Sequence, residues 1–236
     1  MDKIILQAHE LFKDAGFNYA ICGGFALEMC AGKKYREHGD FDMSFFEDER
    51  QKVLQFLHSN GWKLYARYVD FADRKKYLAN HLLHLVEDPG DAKWDDCENF
   101  AAVLPDSYAK AHFVERAGVY TFAFDEPRLT KLDFIKVSFR KRQGESFMAA
   151  KTPLHMDKAI LHSNGVPYMA PEFMLYLRTP EFCSWHPLQK PKTEADFNTI
   201  IPLLSAEQKD WLKAIIKTAY PGGAPWLDGI LEGGIQ

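Results

Sequence analysis

Residues 23–27 read Gly23-Gly24-Phe25-Ala26-Leu27, and after eight further residues comes Arg36-Glu37-His38-Gly39-Asp40-Phe41-Asp42. The short segment from Asn18 to Cys22, just before the glycines, has the composition of a β-strand. The apolar residues after the glycines predict a helix, and the alternation from Asp40 to Phe46 predicts a second strand. The stretch therefore predicts strand, glycine break, helix and strand.

Asp40 and Asp42 are the first candidates for chemistry in this stretch. A strand has a period of two, so both side chains are expected on one face of the sheet. Two carboxylates about 6–7 Å apart along a strand can share a hard divalent cation such as Mg²⁺. Taken alone, such a pair at the start of a strand is common and usually solvated.

The pair Gly23-Gly24 is the second candidate. Glycines between a strand and a helix let backbone amides approach a phosphate, and the helix N-terminus favours an anion. Taken alone, the glycines could be a simple turn. In this order and spacing, the glycines and the carboxylates together describe a site for a nucleotide and Mg²⁺, in which the metal polarises the phosphate.

The rest of the chain predicts the fold class. The first 60 residues predict helix, strand, helix, strand and helix, and strand signals dominate from Trp62 to Phe139. After about residue 150 the pattern becomes helical, and Ser205 with Gln208 has the spacing of a capping box. The expected class is α+β: a mixed sheet of about four to six strands with flanking helices, then a helical C-terminal part. The expected domains are 1–150, an α/β domain, and 151–236, a mainly helical region.

Composition excludes several classes of protein. The 236 residues are 14% aromatic, which suits a large core and not a disordered chain. The formal net charge of −4 disfavours nucleic acid as a partner. No apolar run approaches the roughly 18 residues of a membrane span, and the N-terminus lacks the apolar segment of a signal peptide. The four scattered cysteines are expected to be reduced, which favours a cytoplasmic location.

The glycine and aspartate motifs resemble those of the polymerase-β-like nucleotidyltransferase superfamily, in which G-G-x-A-L precedes R-x-H-x-D-x-D. The version here is similar to the branch that contains aminoglycoside 2″-adenylyltransferases and lincosamide nucleotidyltransferases. Three later segments also resemble that branch, and they are Gly165–Glu172, Lys190–Phe197 and Tyr220–Leu227. The resemblance therefore touches both halves of the chain.

The resemblance implies an activity and a set of site residues. The reaction would be transfer of a nucleoside monophosphate, AMP from ATP or the equivalent from another NTP, to a hydroxyl of a small molecule, such as an aminoglycoside-like antibiotic. Asp40 and Asp42 would be catalytic and would hold Mg²⁺, and Gly23 and Gly24 would contact the triphosphate. The other residues that we assign to nucleotide binding are Arg36, His38 and Lys192.

Two of these nucleotide-binding residues have alternative interpretations. Arg36 could pair with the carboxylate of Glu37 or Glu28 instead of bridging to phosphates. Lys192 precedes a predicted helix whose expected N-cap is Thr193. The helix dipole disfavours a cation at that end, so Lys192 could serve to meet a phosphate, or it could be a solvated surface lysine.

The sequence departs from the family pattern at a third carboxylate, which the family carries on a later strand, often as D-x-H. The matching place reads His81-Leu82-Leu83-His84, so Leu82 stands where the acid is expected. Asp133, between apolar residues of a predicted strand, is the first substitute as a catalytic residue, followed by Glu87 and His84. Two alternatives stay open: a catalytically disabled nucleotide-binding or regulatory protein, and a toxin-type nucleotidyltransferase that modifies a macromolecule.

Overall fold

The computed structural model describes residues 1–67, 83–95, 97, 99–107, 113–116, 119–122, 129–149, 152–182, 190–221 and 229. Leu82, where the family pattern expects an acid, lies outside the described residues, as does most of the segment 220–227.

The described elements follow the predicted order over the first 60 residues. The helices are α1 (Lys3–Phe12), α2 (Gly23–Ala31), α3 (Arg50–Ser59), α4 (Met156–Ala159), α5 (Pro171–Phe182), α6 (Lys190–Ile200) and α7 (Ala206–Ala219). The strands are β1 (Tyr19–Ile21), β2 (Phe41–Phe46), β3 (Lys63–Arg67), β4 (Leu83–Val86), β5 (Asn99–Val103), β6 (Phe113–Arg116), β7 (Val119–Phe122), β8 (Phe134–Arg140), β9 (Arg142–Gln143), β10 (Ser146–Ala149), β11 (Thr152–His155), β12 (Ile160–Ser163) and β13 (Val166–Met169). Short 3₁₀ helices lie at Glu47–Glu49, Ala92–Trp94 and Ile201–Leu203.

Local signals explain where the helices begin. The side chain of Asp2 caps α1 by accepting a hydrogen bond of 2.9 Å from the backbone N–H of Ile4. The predicted capping box of α7 is confirmed. The hydroxyl of Ser205 accepts from the N–H of Gln208, and the Gln208 side chain accepts from the N–H of Ser205. These ends are set by short-range hydrogen bonds, which is why the sequence predicts them.

Contacts divide the chain into two compact units. The first contains Met1–Ile21 with Arg36–Lys141, and the second contains Cys22–Tyr35 with Arg142–Gln236. Helix α2 therefore belongs to the same compact unit as the C-terminal part of the chain. Each unit is made of two separate ranges of the chain, whereas each expected domain, 1–150 and 151–236, is one continuous range. The expected domain bounds stay a prediction.

The first unit is built on a mixed sheet. Its described strands lie in the order β1-β2-β8-β5-β3-β4-β7-β6. The central pair β2–β8 is parallel, whereas β1–β2, β5–β8, β3–β5, β3–β4, β4–β7 and β6–β7 are antiparallel. The eight described strands exceed the four to six expected, partly because β6, with its polar Glu115-Arg116 end, gives little strand signal.

One face of this sheet carries the aromatic core of the first unit. Phe45 of β2 packs edge-on against Phe12 of α1 with ring centroids 5.4 Å apart, and it also contacts Phe139 of β8. Phe12 contacts Phe56 of α3 at 5.8 Å. Helices α1 and α3 therefore cover the face of Phe45, and by the period of two Asp42 belongs to the opposite face.

The second unit contains strands as well as helices. β9, β10 and β11 form a small antiparallel sheet, and β12 and β13 form a hairpin. The expectation of a helical chain from about residue 150 is therefore wrong up to Met169 and correct beyond Pro171. Asn164-Gly165, with positive φ values of 50° and 80°, makes the tight hairpin turn that this dipeptide favours.

The overall class agrees with the sequence prediction. A mixed sheet with flanking helices precedes a segment in which α5, α6 and α7 dominate, so the α+β class is confirmed. Within the described residues, no helix combines the length and the apolar character that crossing a membrane requires.

Candidate functional site

Asp40 and Asp42 lie at the start of β2, where the alternation places them. Phe41 between them is fully buried, whereas both aspartates are partly exposed. In the parallel pair β2–β8, Asp42 is the direct partner of Lys136. Partners on adjacent strands share a face of the sheet, and the period of two adds Asp40 to it. The two carboxylates and the ammonium therefore share one face.

Lys136 contacts one member of this carboxylate pair directly. Its Nζ donates a hydrogen bond to Oδ2 of Asp40 and forms an ion pair with it. Desolvation by neighbouring groups acts to lower the pKa of Lys136, whose side chain is 45% exposed, but the charges of Asp40 and Asp42 outweigh this effect, so the pKa is raised. Lys136 is therefore a cation at neutral pH. Arg67 is also close enough to act on the pKa of Lys136, in the opposite direction to the two carboxylates.

The same face is polar on one side of the pair and apolar on the other. Toward the end of β2 lies Ser44, whose partner Ser138 donates a hydrogen bond of 3.2 Å to Asn99. On the other side lies a buried apolar cluster of Tyr65, Leu83, Ala101, Val103 and Phe134. The strand register, through Lys136–Ala101 and Ala101–Tyr65, places this cluster on the face of Asp42. The carboxylates thus lie where a polar row meets an apolar surface.

Asp133, the predicted third catalytic residue, lies just before β8 and is 4% exposed. Lys131 Nζ lies 3.6 Å from its carboxylate and 3.1 Å from that of Asp106. Among the described residues there is no group of three or more His, Cys, Asp or Glu that could hold a metal ion, so Asp133 forms no such group with Asp40 and Asp42. Its catalytic role stays a prediction.

The two other substitutes for the third acid differ in position. His84 pairs with Ala66 of β3, whereas its neighbour Leu85 pairs with Tyr65. Since Tyr65 shares the face of Asp42, His84 belongs to the opposite face. Glu87 follows the end of β4 and is exposed.

Arg36 and His38 lie together in the segment before β2. Arg36 Nη1 is 3.0 Å from Nδ1 of His38 and donates a bond of 3.3 Å to the backbone carbonyl of Glu37. His38 is 6% exposed, and its own carbonyl accepts a 2.9 Å bond from the N–H of Leu129. Arg36 and His38 are thus in contact with each other in the segment that leads into β2. Their assignment to nucleotide binding stays a prediction.

Gly23 and Gly24 belong to the second unit and open α2, two residues before the predicted start of that helix. Gly23 has φ of +61°, a conformation that disfavours every residue with a side chain. Its N–H lies 3.1 Å from the sulfur of Met174 on α5. The glycine therefore serves the backbone geometry, and its expected contact with the triphosphate stays a prediction.

The expected position of Lys192 ahead of a helix is wrong. α6 begins at Lys190, so Lys192 is its third residue and Thr193 lies inside the helix, fully buried. The tract Lys190-Pro191 starts the helix early because proline is well accommodated in the first turn. The argument from a cation at the N-cap consequently does not apply, although Lys192 remains within the first turn.

Neither Lys136 nor Asp196 is among the site residues that the sequence predicts. Lys136 lies on a strand between buried residues, Ile135 and Val137, and a charged residue there is the signal that could have identified it. Asp196 is fully buried in α6, where Arg178 Nε lies 3.3 Å from its carboxylate. The sequence pattern around Asp196 predicts that it lies on a helix and does not predict this ion pair.

The mixed sheet with two aspartates on one face is the arrangement that the sequence motifs predict for a nucleotidyltransferase. Residues 4–128, more than half of the chain, match the family model of aminoglycoside-2''-adenylyltransferase, and the chain belongs to that family. A lincosamide resistance protein of Staphylococcus haemolyticus is 29% identical over 92 residues, which cover 37% of this chain and 57% of that protein. The match therefore spans only a little over half the length of that relative.

Two solved structures of the antibiotic-resistance factor ANT(2'')-Ia have the same fold. Its solution structure aligns with 92% of this chain and 90% of its own, at 15% identity and a TM-score of 0.53. Its crystal structure in complex with adenylyl-2''-tobramycin aligns with 92% of this chain and 95% of its own, at 13% identity and a TM-score of 0.52. At these low sequence identities, the similarity shows a common fold and nothing more.

Proposed function

We propose that the protein is a Mg²⁺-dependent nucleotidyltransferase that moves AMP from ATP, or the equivalent group from another NTP, to a hydroxyl of a small molecule. One observation carries this proposal: Asp40 and Asp42 share a sheet face at the start of β2, in a chain of the aminoglycoside-2''-adenylyltransferase family. Family membership makes the reaction class specific, since paired carboxylates alone occur in many proteins.

The residues on this face fit Mg²⁺. Both aspartates offer hard oxygen ligands and are partly exposed, and Mg²⁺ accepts one or two protein carboxylates while phosphates and water supply its other ligands. Asp40 and Asp42 would hold the ion. When bound, Mg²⁺ neutralises phosphate charge and polarises the phosphorus centre that the hydroxyl attacks.

The chain's own groups then have separable tasks. Lys136, beside the carboxylates, and Arg67, on the same face by the period of β3, offer positive charge to the phosphates. Asp133 is our candidate for accepting the proton of the acceptor hydroxyl. A general base in this role typically contributes a factor of about 10²–10⁴ in rate. Arg36, His38, Gly23, Gly24 and Lys192 stay candidates for nucleotide contact on the family resemblance.

The names of the similar proteins suggest the acceptor. One is called a lincosamide resistance protein, and another was solved with adenylyl-2''-tobramycin. We infer that the acceptor is a hydroxylated antibiotic of aminoglycoside or lincosamide type. The acidic net charge of the chain, −4, suits a polycationic aminoglycoside better than nucleic acid. The expected cytoplasmic location belongs to the same proposal.

Mass spectrometry of the acceptor tests the proposal. The purified protein is incubated with Mg²⁺, each of the four NTPs and a panel of aminoglycosides and lincosamides. The expected result is an acceptor heavier by one nucleoside monophosphate, with ATP as the preferred donor. Asp42→Asn is expected to abolish the product, whereas Asp14→Asn, the same change at an exposed residue after α1, is the matched control.

Two other outcomes would replace the proposal. Binding of Mg-ATP without any product across the panel would favour the catalytically disabled, regulatory protein. Labelling of a protein or RNA in cell extract by ATP, with no labelled small molecule, would favour the toxin-type transferase.

A further inference from the structure

The face of the sheet that carries Asp40 and Asp42 has few acids. Among its described strands, positions in register with Asp42 are Lys136 on β8, Ala101 on β5 and Tyr65 on β3. One row further on lie Ser44, Ser138 and Asn99. None of these neighbouring positions carries a carboxylate; the register places Glu115 on the same face, but on β6, six strands away from β2.

The position beside Asp42 on the adjacent parallel strand is occupied by an ammonium group. Lys136 is the direct partner of Asp42, and its Nζ is bound to Oδ2 of Asp40. The ammonium therefore occupies an oxygen atom that a second metal ion would need as a ligand. Catalytic sites with two metals place the ions about 3.5–4 Å apart and rely on shared oxygen ligands.

We propose that Lys136 takes the place of one cation beside Asp40 and Asp42, so that the site binds one divalent ion together with the nucleotide. This inference rests on the proposed function and makes it more specific. Two carboxylates can hold one divalent ion, while the ammonium balances part of the charge that phosphates bring. A second divalent ion would displace Lys136 from Asp40, and the two ions together would bring four positive charges to two carboxylates.

Counting bound Mn²⁺ tests the inference without measuring activity. Mn²⁺ replaces Mg²⁺ at oxygen sites, and free Mn²⁺ is quantified by electron paramagnetic resonance in a titration of the protein with α,β-methylene-ATP. The wild type is expected to bind one Mn²⁺ per nucleotide complex. Lys136→Arg keeps a cation and should also bind one. Lys136→Asp places a carboxylate in register with Asp42 and should bind two.

A neutral variant provides a second measurement. Lys136→Met keeps the length of the side chain and removes its charge, so the first Mn²⁺ should bind about tenfold more tightly than in the wild type. Circular dichroism checks that each variant is folded. If a variant is unfolded, the number of Mn²⁺ ions bound by the wild type decides the test. A wild-type count of two, or an unchanged count in folded Lys136→Asp, overturns the inference.

The same titration separates this inference from the proposed function. A wild type that binds the nucleotide with two Mn²⁺ removes the role of Lys136 and leaves nucleotidyl transfer intact. A wild type that binds neither nucleotide nor Mn²⁺ removes both.

Discussion

The hydroxyl of Tyr35 donates a hydrogen bond of 2.8 Å to Oδ1 of Asp196, and so connects the segment after α2 to the middle of α6. Arg178 of α5 approaches the other carboxylate oxygen, with Nε at 3.3 Å. Asp196 is fully buried. One carboxylate therefore joins three segments of the second unit that lie far apart in the chain.

Asp196 is expected to be among the most costly polar residues to remove. Asp196→Ala removes a fully buried carboxylate from Arg178, whose side chain is 20% exposed, and should lower the free energy of unfolding by about 3–5 kcal/mol. Tyr35→Phe removes one hydrogen bond to a charged group and should cost about 1.5–3 kcal/mol. Urea denaturation measures both values. A smaller loss for Asp196→Ala than for Tyr35→Phe would contradict the arrangement.

Glu172 should make stability depend on pH. Its carboxyl is 3% exposed, and burial raises its pKa, although hydrogen bonds from its own N–H and from Gln208 act against the shift. An acid with a raised pKa binds its proton more tightly in the folded state. Its contribution to stability is therefore greatest below the ordinary pKa of 4.5 and is lost as the pH rises through the raised folded value.

Denaturation of the wild type and Glu172→Gln at several pH values between 4 and 7 measures this effect. The stability of the wild type relative to the variant should fall as the pH rises, since the amide keeps the shape and cannot ionise. Gln208 Nε2 donates a 2.8 Å bond to Glu172, so Gln208→Ala should cost about 1–3 kcal/mol. Equal slopes for wild type and Glu172→Gln would contradict the buried, ionisable carboxyl.

Asp133 is the residue that tests the catalytic base. If it accepts the proton of the acceptor, Asp133→Asn should lower kcat about 10²–10⁴-fold and leave the affinity for Mg-ATP unchanged. His84→Gln, on the opposite face from Asp42, should leave kcat unchanged. Steady-state kinetics and calorimetry supply the two readouts. An active Asp133→Asn variant would exclude this residue, and Glu87→Gln would then be the next variant to measure.

Gly165 should be required for the backbone of the β12–β13 hairpin and not for packing. Its φ is +80°, and no atom lies within 4 Å of the place where a Cβ would be. Gly165→Ala should therefore cost about 1–2 kcal/mol from backbone strain alone. Gly165→Asn should cost less, since asparagine tolerates this conformation. Equal losses for the two variants in thermal unfolding would argue against a left-handed residue at this turn.

Features that depend on near neighbours in the chain could be predicted from the amino-acid sequence. The period of two placed Asp40 and Asp42 on one face, and the spacing of Ser205 and Gln208 placed the start of α7. The hairpin at Asn164-Gly165 was also readable, because this dipeptide favours its turn, and our helical assignment of that region overlooked it. The start of α6 was missed because proline is compatible with both a loop and a first helical turn.

The tertiary structure alone decided which groups meet. Lys136 and Asp40 are separated by 96 positions, and their ion pair depends on β8 lying parallel to β2 in one register. A shift of one residue in the pairing of β8 with β2 would move Lys136 to the opposite face, because successive residues of a strand point to opposite sides of the sheet. That register is fixed by the burial of Ile135, Val137 and Phe139 across the sheet, so the charge beside the aspartates follows from packing and not from any motif.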